Sequence, residues 1–420
     1  MPSGVFQIQA KDSVVRLGAF DAVNAVQNLN LDPTFNEENF SELGNSNFTA
    51  TSRSPETSGS FEVTATGSIP SVLARMIFNY TTQAYLFIPA TGGNTYSMTE
   101  DDFENAIFDL LNLKRPGGTF DQAVLVPNAQ LTGFSLRADA NGTASETYTF
   151  EADRQESFFK PYHDMVSVPL ETQTGTTADI PSAYSTIDSG THHIMKVFKD
   201  DEEFDSTVSS WTGLSTITVT GAAFDTVAPF NRVTAVLYRI AAGAFPTILY
   251  PTTARFVKGD RVDIWLVNSG TTTTDANRLL KCTSADINVD LTRDPLQQIK
   301  RNDNQNTTYW RGLNFPLTIT GTLVVNEVDL TVWAALQGKT LNESADVDTI
   351  DVNNLLDLVG FETQKLQIKY YRQGSDTALC DLVVTDMDIT GFGDAVAVGG
   401  RLERTIGLTG SNLTIDGTTS

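Results

Sequence analysis

The sequence predicts a mainly β protein built as two tandem copies of one unit, a β-sandwich or half-barrel with one flanking helix per copy. Three observations predict it. Apolar and polar residues alternate in short runs: in Phe61-Glu62-Val63-Thr64-Ala65, period two sets Phe61, Val63 and Ala65 on one face and Glu62, Thr64 and Thr66 on the other. Hairpin turns punctuate such runs, as Asn141-Gly142 does. The chain also repeats itself. Leu29-Asn30-Leu31-Asp32 is answered by Ile287-Asn288-Val289-Asp290, Arg53 by Arg311, Phe61 to Ala65 by Ile319-Thr320-Gly321-Thr322-Leu323, and Leu131-Thr132-Gly133-Phe134 by Ile389-Thr390-Gly391-Phe392. All four matches share an offset of about 258 positions, which chance similarity rarely gives.

A chain of 420 residues is long for one core, so two or three domains are expected. We read 1–153 as the first unit, 154–232 as an inserted β-rich element or linker, 233–412 as the second unit and 413–420 as a flexible tail. No apolar run is long enough to span a bilayer. Met1-Pro2-Ser3-Gly4-Val5 shows no basic stretch followed by an apolar one, so no secretory signal is expected and N-x-S/T triplets such as Asn79-Tyr80-Thr81 read as chance. Two cysteines, Cys282 and Cys380, make no disulfide framework and read as buried small hydrophobes, with a bridge between them left open. The net charge of −23 argues against a protein that grips nucleic acid, because holding phosphates takes clustered Lys and Arg.

Taken in order, Val5 to Ile8 and Val14 to Leu17 alternate as short strands or an arm that pairs with a neighbour. The strand from Val26 to Leu31 is expected to stop at Asp32-Pro33, since proline removes a ladder donor. Residues 33–57 are polar and turn-rich, a long loop pegged by Phe35, Phe40 and Leu43, and Asp294 to Trp310 repeats its character. Leu317, Ile319 and Leu323 alternate with Thr318, Thr320 and Thr322, matching the Phe61 strand. The run from Val72 to Phe78 suits helix or strand. Residues 99–113 carry the strongest helix signal: Thr99 as cap, Glu100, Asp101 and Asp102 in the first turn, then Phe103, Ile107, Leu110 and Leu111 at helical spacing. Thr349 to Gly360 repeats that device. Ala123 to Leu136 and Glu146 to Phe150 form a hairpin, echoed by Leu379 to Phe392 and Arg401 to Leu408. Val233 to Leu280 reads as the lead-in to the second copy, and Asn412 to Ser420 as frayed.

Little in the sequence resembles a catalytic site, and we expect no enzyme, cofactor or metal. With His163, His192 and His193 as the only histidines, a His-based hydrolase or multi-His metal site is nearly excluded, and His192-His193 reads as a solvated loop. Asp188-Ser189-Gly190-Thr191 looks like an aspartic-protease loop, but that chemistry needs a second carboxylate in the same cleft and the repeat supplies none. Asp200-Asp201-Glu202-Glu203 lacks the spacing of an EF-hand and reads as a solvated charge run. No phosphate-cradling glycine motif is present.

The order of strand, polar loop, amphipathic strand, helix and a closing hairpin carrying Leu131-Thr132-Gly133-Phe134, over residues 20–153 and again over about 280–412, resembles the tail tube proteins of long-tailed phages and related viruses. The resemblance implies subunits joined edge to edge into rings around an inner β-barrel, stacked into a tube that conducts double-stranded DNA without binding it specifically. Two folds per chain would make each ring a homotrimer and pseudo-hexamer. Glu62, Thr64, Thr66, Thr318, Thr320 and Thr322 would then face the lumen, and Phe35, Phe40, Leu43, Arg301 and Trp310 would make ring-to-ring contacts. The implied partners are further copies of the chain, tape-measure and tail-tip proteins; the implied location is the virion tail, assembled in the host cytoplasm. The alternatives are a tail-tip or baseplate ring of the same fold and a β-sandwich adhesin that binds glycans.

Overall fold

The computed structural model describes residues 13–18, 23, 26–40, 50–64, 71–86, 95–114, 122–158, 165–184, 187–199, 202–203, 208–212, 216–219, 232–239, 257–268, 270, 272–274, 282–298, 307–326, 364–371, 376–396 and 402–418. The first part of the chain holds β1 (Ser13–Leu17), β2 (Val26–Phe40), β3 (Ala50–Thr64), β4 (Phe78–Asn79), β5 (Ala84–Tyr85), β6 (Thr95–Thr99), β7 (Ile107–Lys114), β8 (Gln122–Asp139), β9 (Ser145–Ala152) and β10 (Glu156–Phe158). The middle holds β11 (Met165–Pro169), β12 (Glu171–Thr174), β13 (Thr177–Asp179), β14 (His192–Lys199), β15 (Glu202–Glu203), β16 (Val208–Thr212), β17 (Thr216–Val219) and β18 (Val233–Arg239). The last part holds β19 (Val262–Asn268), β20 (Cys282–Asp290), β21 (Arg293–Gln298), β22 (Thr307–Leu313), β23 (Thr318–Asn326), β24 (Gln364–Tyr371), β25 (Ala378–Val396), β26 (Leu402–Gly410) and β27 (Asn412–Thr418). The mainly β expectation therefore holds.

One sheet crosses both ends of the chain in the order β19-β24-β25-β26-β23-β20-β8-β9-β3-β2, with β1 and β7 attached through β8. β8 and β25 are long because each serves two neighbours in turn. The first half of β8 pairs with β7, and its second half lies between β9 and β20. β25 pairs first with β24, then with β26. Each strand turns this corner at a residue with positive φ, Asn128 at 50° and Asp386 at 52°. Asn and Asp tolerate that backbone better than other side chains, and a strand that changes sheets needs such a bulge. The main core lies under this sheet and takes side chains from both ends of the chain, among them Phe61, Phe134, Tyr148, Ile287, Ile319, Leu382 and Leu408.

The middle part forms two four-stranded sheets, β11-β18-β14-β15 and β12-β13-β17-β16, over their own core of Val168, Ile180, Ile217 and Leu237. Met165, Phe198 and Val236 then pack against Leu111, Leu113, Ala123 and Leu125 of β7 and β8. This corrects the expected boundary at residue 232. Val233–Arg239 pairs with β11 and β14, so its apolar run completes the middle element and does not lead into the second unit.

Four further expectations are corrected. Residues 33–57 are largely the arms of a hairpin, not a loop: β2 and β3 stay paired from Leu29–Phe61 out to Phe40–Ala50. Pro33 does not end β2. Among the described residues β2 has a partner on one side only, and an edge strand tolerates a missing donor. The echo over 294–310 is likewise a hairpin, β21 with β22. The helix expected over 99–113 is a single 3-10 stretch, Glu100–Asn105, running into β7. The predicted cap is real: the Asp102 carboxylate accepts the Thr99 backbone N–H at 2.8 Å. The apolar run behind it, buried at nearly every position, pairs with β1 and β8 on its two edges, and that pairing overrides helical spacing. The repeat of that helix, 349–360, lies outside the described residues. Third, residues 413–418 of the expected tail form a strand: β27 pairs with both β25 and β6, and Leu413 and Ile415 are buried. Finally, His192 is not in a solvated loop. It starts β14 opposite Arg239, is buried, and burial lowers its pKa.

Candidate assembly site

The register places side chains from both ends of the chain in shared rows. One row reads Asn28, Glu62, Thr147, Ser135, Asn288, Thr320, Thr409, Asp388 across eight strands. The next row on the same face runs Thr64, Ser145, Arg137, Asp286, Thr322, Gly407, Gly391. A third runs Asn30, Ser60, Thr149, Gly133, Asp290, Thr318. None of the three rows holds a large apolar side chain. They carry Glu62, Asp286, Asp290 and Asp388 against the single cation Arg137. The opposite face is dry: Leu29, Phe61, Tyr148, Phe134, Val289 and Ile319 stand side by side.

Five of the six sequence-predicted lumen residues thus fall on one polar face. Glu62 shares a row with Thr320, Thr64 with Thr322, and Thr318 lies in the third row; Thr66 lies outside the described residues. Glu62 accepts from the Asn28 side-chain amide at 3.1 Å. Phe61 and Val63 are buried while Glu62 and Thr64 are part-exposed, as the alternation requires. Of the predicted ring-to-ring residues, Phe35 sits opposite Pro55 and Phe40 opposite Ala50 in the first hairpin, and Trp310 opposite Leu296 in the second. Leu43 and Arg301 lie outside the described residues.

Sequence reasoning missed the residues that fasten the second hairpin to the first part of the chain. Arg293 is buried and donates to four carbonyls: Leu131 at 2.9 Å, Glu104 at 3.1 Å, Arg311 at 3.1 Å and Phe103. Burial pulls its pKa down to about 10. Arg311 pairs with Asp153 at 2.8 Å, Glu151 at 3.0 Å and Glu56 at 3.5 Å. Burial raises the Glu151 pKa, and Arg311 opposes the rise. The one signal in the sequence was Arg311 as the match of Arg53; nothing announced Arg293.

A second missed group is Glu146, on the dry face of β9, where Tyr148 donates a hydrogen bond to it. Burial raises the Glu146 pKa to about 7. Tyr96, Tyr370 and the Cys380 thiol share its surroundings, their pKa values raised mainly by burial. An unfolded Glu ionises near pH ~4.3, so between that pH and about 7 the folded state holds the extra proton and stability falls as pH rises. Glu146→Gln is expected to flatten that slope and to stabilise the chain at pH 8 by roughly 2–3 kcal/mol, read from urea midpoints at pH 5 and pH 8. Equal slopes for the two proteins would refute the assignment.

The remaining candidates are occupied structurally. The Asp188 carboxylate accepts the backbone N–H groups of Gly190 at 2.8 Å and Thr191 at 2.9 Å, which closes a turn. Glu202–Glu203 pairs as β15 with the end of β14. Cys282 and Cys380 are free thiols. Among the described residues no helix is long and apolar enough to cross a membrane.

No protein-family model matches the sequence, and no curated protein matches it. Among solved structures, a chain of an extracellular contractile injection system, the PVC sheath-tube complex in its extended state, aligns at 10% identity and TM-score 0.22, over 37% of this chain and 88% of that one. A chain of the anti-feeding prophage cap, which terminates the AFP tube, aligns at 10% identity and TM-score 0.21 over the same shares.

Proposed function

We propose that this chain is a structural tube protein of a viral tail, that it contains two copies of the tube fold, and that three chains close a pseudo-six-fold ring through which DNA passes. One observation carries the reading: a single sheet runs through both ends of the chain, polar and acidic on one face and apolar on the other. Such a sheet suits a wall with a wet bore. An acidic bore repels phosphates, so DNA slides without sticking. Three chains of eight strands give about 24 strands. At ~4.8 Å spacing and ~40° tilt the backbone circle is roughly 48 Å across, wide enough for a duplex once side chains are added. Closing the circle also removes the sheet edges that otherwise invite aggregation. The hairpins β2–β3 and β21–β22 are extended arms suited to contacts between stacked rings.

Negative-stain electron microscopy of the purified protein at high concentration is expected to show rings or tubes with a central hole and three-fold symmetry beneath six lobes. Monodisperse monomers throughout, including after addition of a tail-tip initiator, would refute the proposal.

A further inference from the structure

The two ends of the chain repeat each other in register as well as in strand order. β8 and β9 pair Leu131 with Phe150 and, past a one-residue irregularity, Gly133 with Thr149. β25 and β26 pair Ile389 with Leu408 and, past the same irregularity, Gly391 with Gly407. Glu156 of β10 lies opposite Leu125, and Thr414 of β27 lies opposite Val383. The corner residues Asn128 and Asp386 correspond as well. Every equivalence keeps the spacing of about 258 positions found in the sequence.

Among the described residues, the pairing of β20 with β8 has no counterpart. β20 lies along the second half of β8, with Asp290 opposite Gly133, Asn288 opposite Ser135 and Asp286 opposite Arg137. The counterpart of β20 is the first half of β2, and the counterpart of that stretch of β8 is 391–395 of β25. Among the described residues, β2 pairs with β3 alone, and 391–395 pairs with β26 alone.

The glycines say what belongs there. A Cβ on Gly133 would lie 3.0 Å from the Thr149 hydroxyl of β9 and 3.1 Å from the Val289 carbonyl oxygen of β20, so β20 is one of two neighbours that leave little room for a side chain. A Cβ on its counterpart Gly391 would meet nothing within 4 Å, and the same holds for Gly393. Gly391 follows the irregularity after Ile389, where strands keep glycine, but Gly393 has no such reason, and a strand glycine also marks the close approach of another backbone. On the facing edge, Leu29 and Leu31 are part-exposed, whereas their counterparts Ile287 and Val289 are fully buried.

We propose that β2 of one chain pairs antiparallel with 391–395 of β25 in a second copy, in the register of β20 on β8. Asp32 then lies opposite Gly391, Asn30 opposite Gly393 and Asn28 opposite Ala395, with the Leu31 carbonyl over Gly391. The seam inside the chain and the seam between chains become equivalent, and each closes an open edge. This seam rests on the ring reading above and adds its partner strands and their register.

Two pairs of variants test it on the full chain under assembly conditions. Asn30→Cys with Gly393→Cys is expected to give disulfide-linked oligomers on non-reducing gels at least tenfold faster than the register-shifted pair Asp32→Cys with Gly393→Cys. Gly391→Val is expected to keep the wild-type melting temperature and to lose assembly at least tenfold, whereas Gly133→Val lowers the melting temperature. Should Gly391→Val melt early, the cysteine pairs decide alone. If the wild type assembles while the two cysteine pairs link at equal rates, the seam is overturned and the ring stands. If the wild type never assembles, both fall.

Discussion

Asp109→Ala is expected to lower stability by about 3–5 kcal/mol, the cost of leaving a buried charge without its partner. Asp109 and Arg232 are each 1% exposed and pair at 2.9 Å. The Asp109 carboxylate also accepts the Asn128 backbone N–H at 2.8 Å and the Ser167 hydroxyl. Arg232 donates to the Tyr85 hydroxyl at 2.8 Å and to the Asn128 side chain, and its guanidinium lies 5.9 Å from the centre of the Phe78 ring. Burial works against the Arg232 charge, but Asp109, with Tyr85, more than offsets it and holds the pKa above its usual value. The network therefore joins β7, the corner of β8, the β4–β5 hairpin and the middle sheet. Urea denaturation measures the loss, and proteolysis is expected to cut first within 165–239. The double variant Asp109→Leu with Arg232→Met is expected to recover most of the stability, because an apolar pair leaves no charge stranded. A single variant as stable as the wild type would show that the pair does not anchor the middle element.

Arg293→Ala carries the second large expectation, a loss of about 4 kcal/mol if each of the stranded carbonyls costs roughly 1 kcal/mol. The acceptors of Arg293 are backbone oxygens of β8, β22 and the 3-10 stretch. Arg293→Lys is expected to rescue little, since a single ammonium cannot reproduce the planar fork that reaches several acceptors. Limited proteolysis should then open the β21–β22 hairpin well before the rest of the chain. If lysine restores full resistance, charge and not fork geometry holds the hairpin.

The parts legible in the sequence are those where a strand has one wet face and one dry face. Phe61 and Val63 point inward and Glu62 and Thr64 outward because period two is the pleat itself. The β2–β3 hairpin was illegible for the opposite reason. Its outer arms, Pro33-Thr34-Phe35-Asn36-Glu37-Glu38 and Ser52-Arg53-Ser54-Pro55, show no apolar alternation, so they are held by backbone pairing that composition does not reveal. Phe103, Ile107, Leu110 and Leu111 satisfy helical spacing, while Ile107 to Leu113 is also the mostly apolar run of a buried strand; strand partners on both sides decided between them. Asn412 to Thr418 is short and polar at alternate positions, and its place between β25 and β6 exists only because the two ends of the chain meet.

By itself the sequence determined the β class and which side of the Phe61 and Ile319 strands meets water. These are properties of local periodicity, and one strand suffices to read them. The tertiary structure alone decided that the two polar faces form one surface, that Arg293, Arg311 and Arg232 fasten the parts, and that, among the described residues, two strand edges have no partner. Each of those depends on groups more than a hundred residues apart, brought together by register, and no local pattern encodes a register between distant strands.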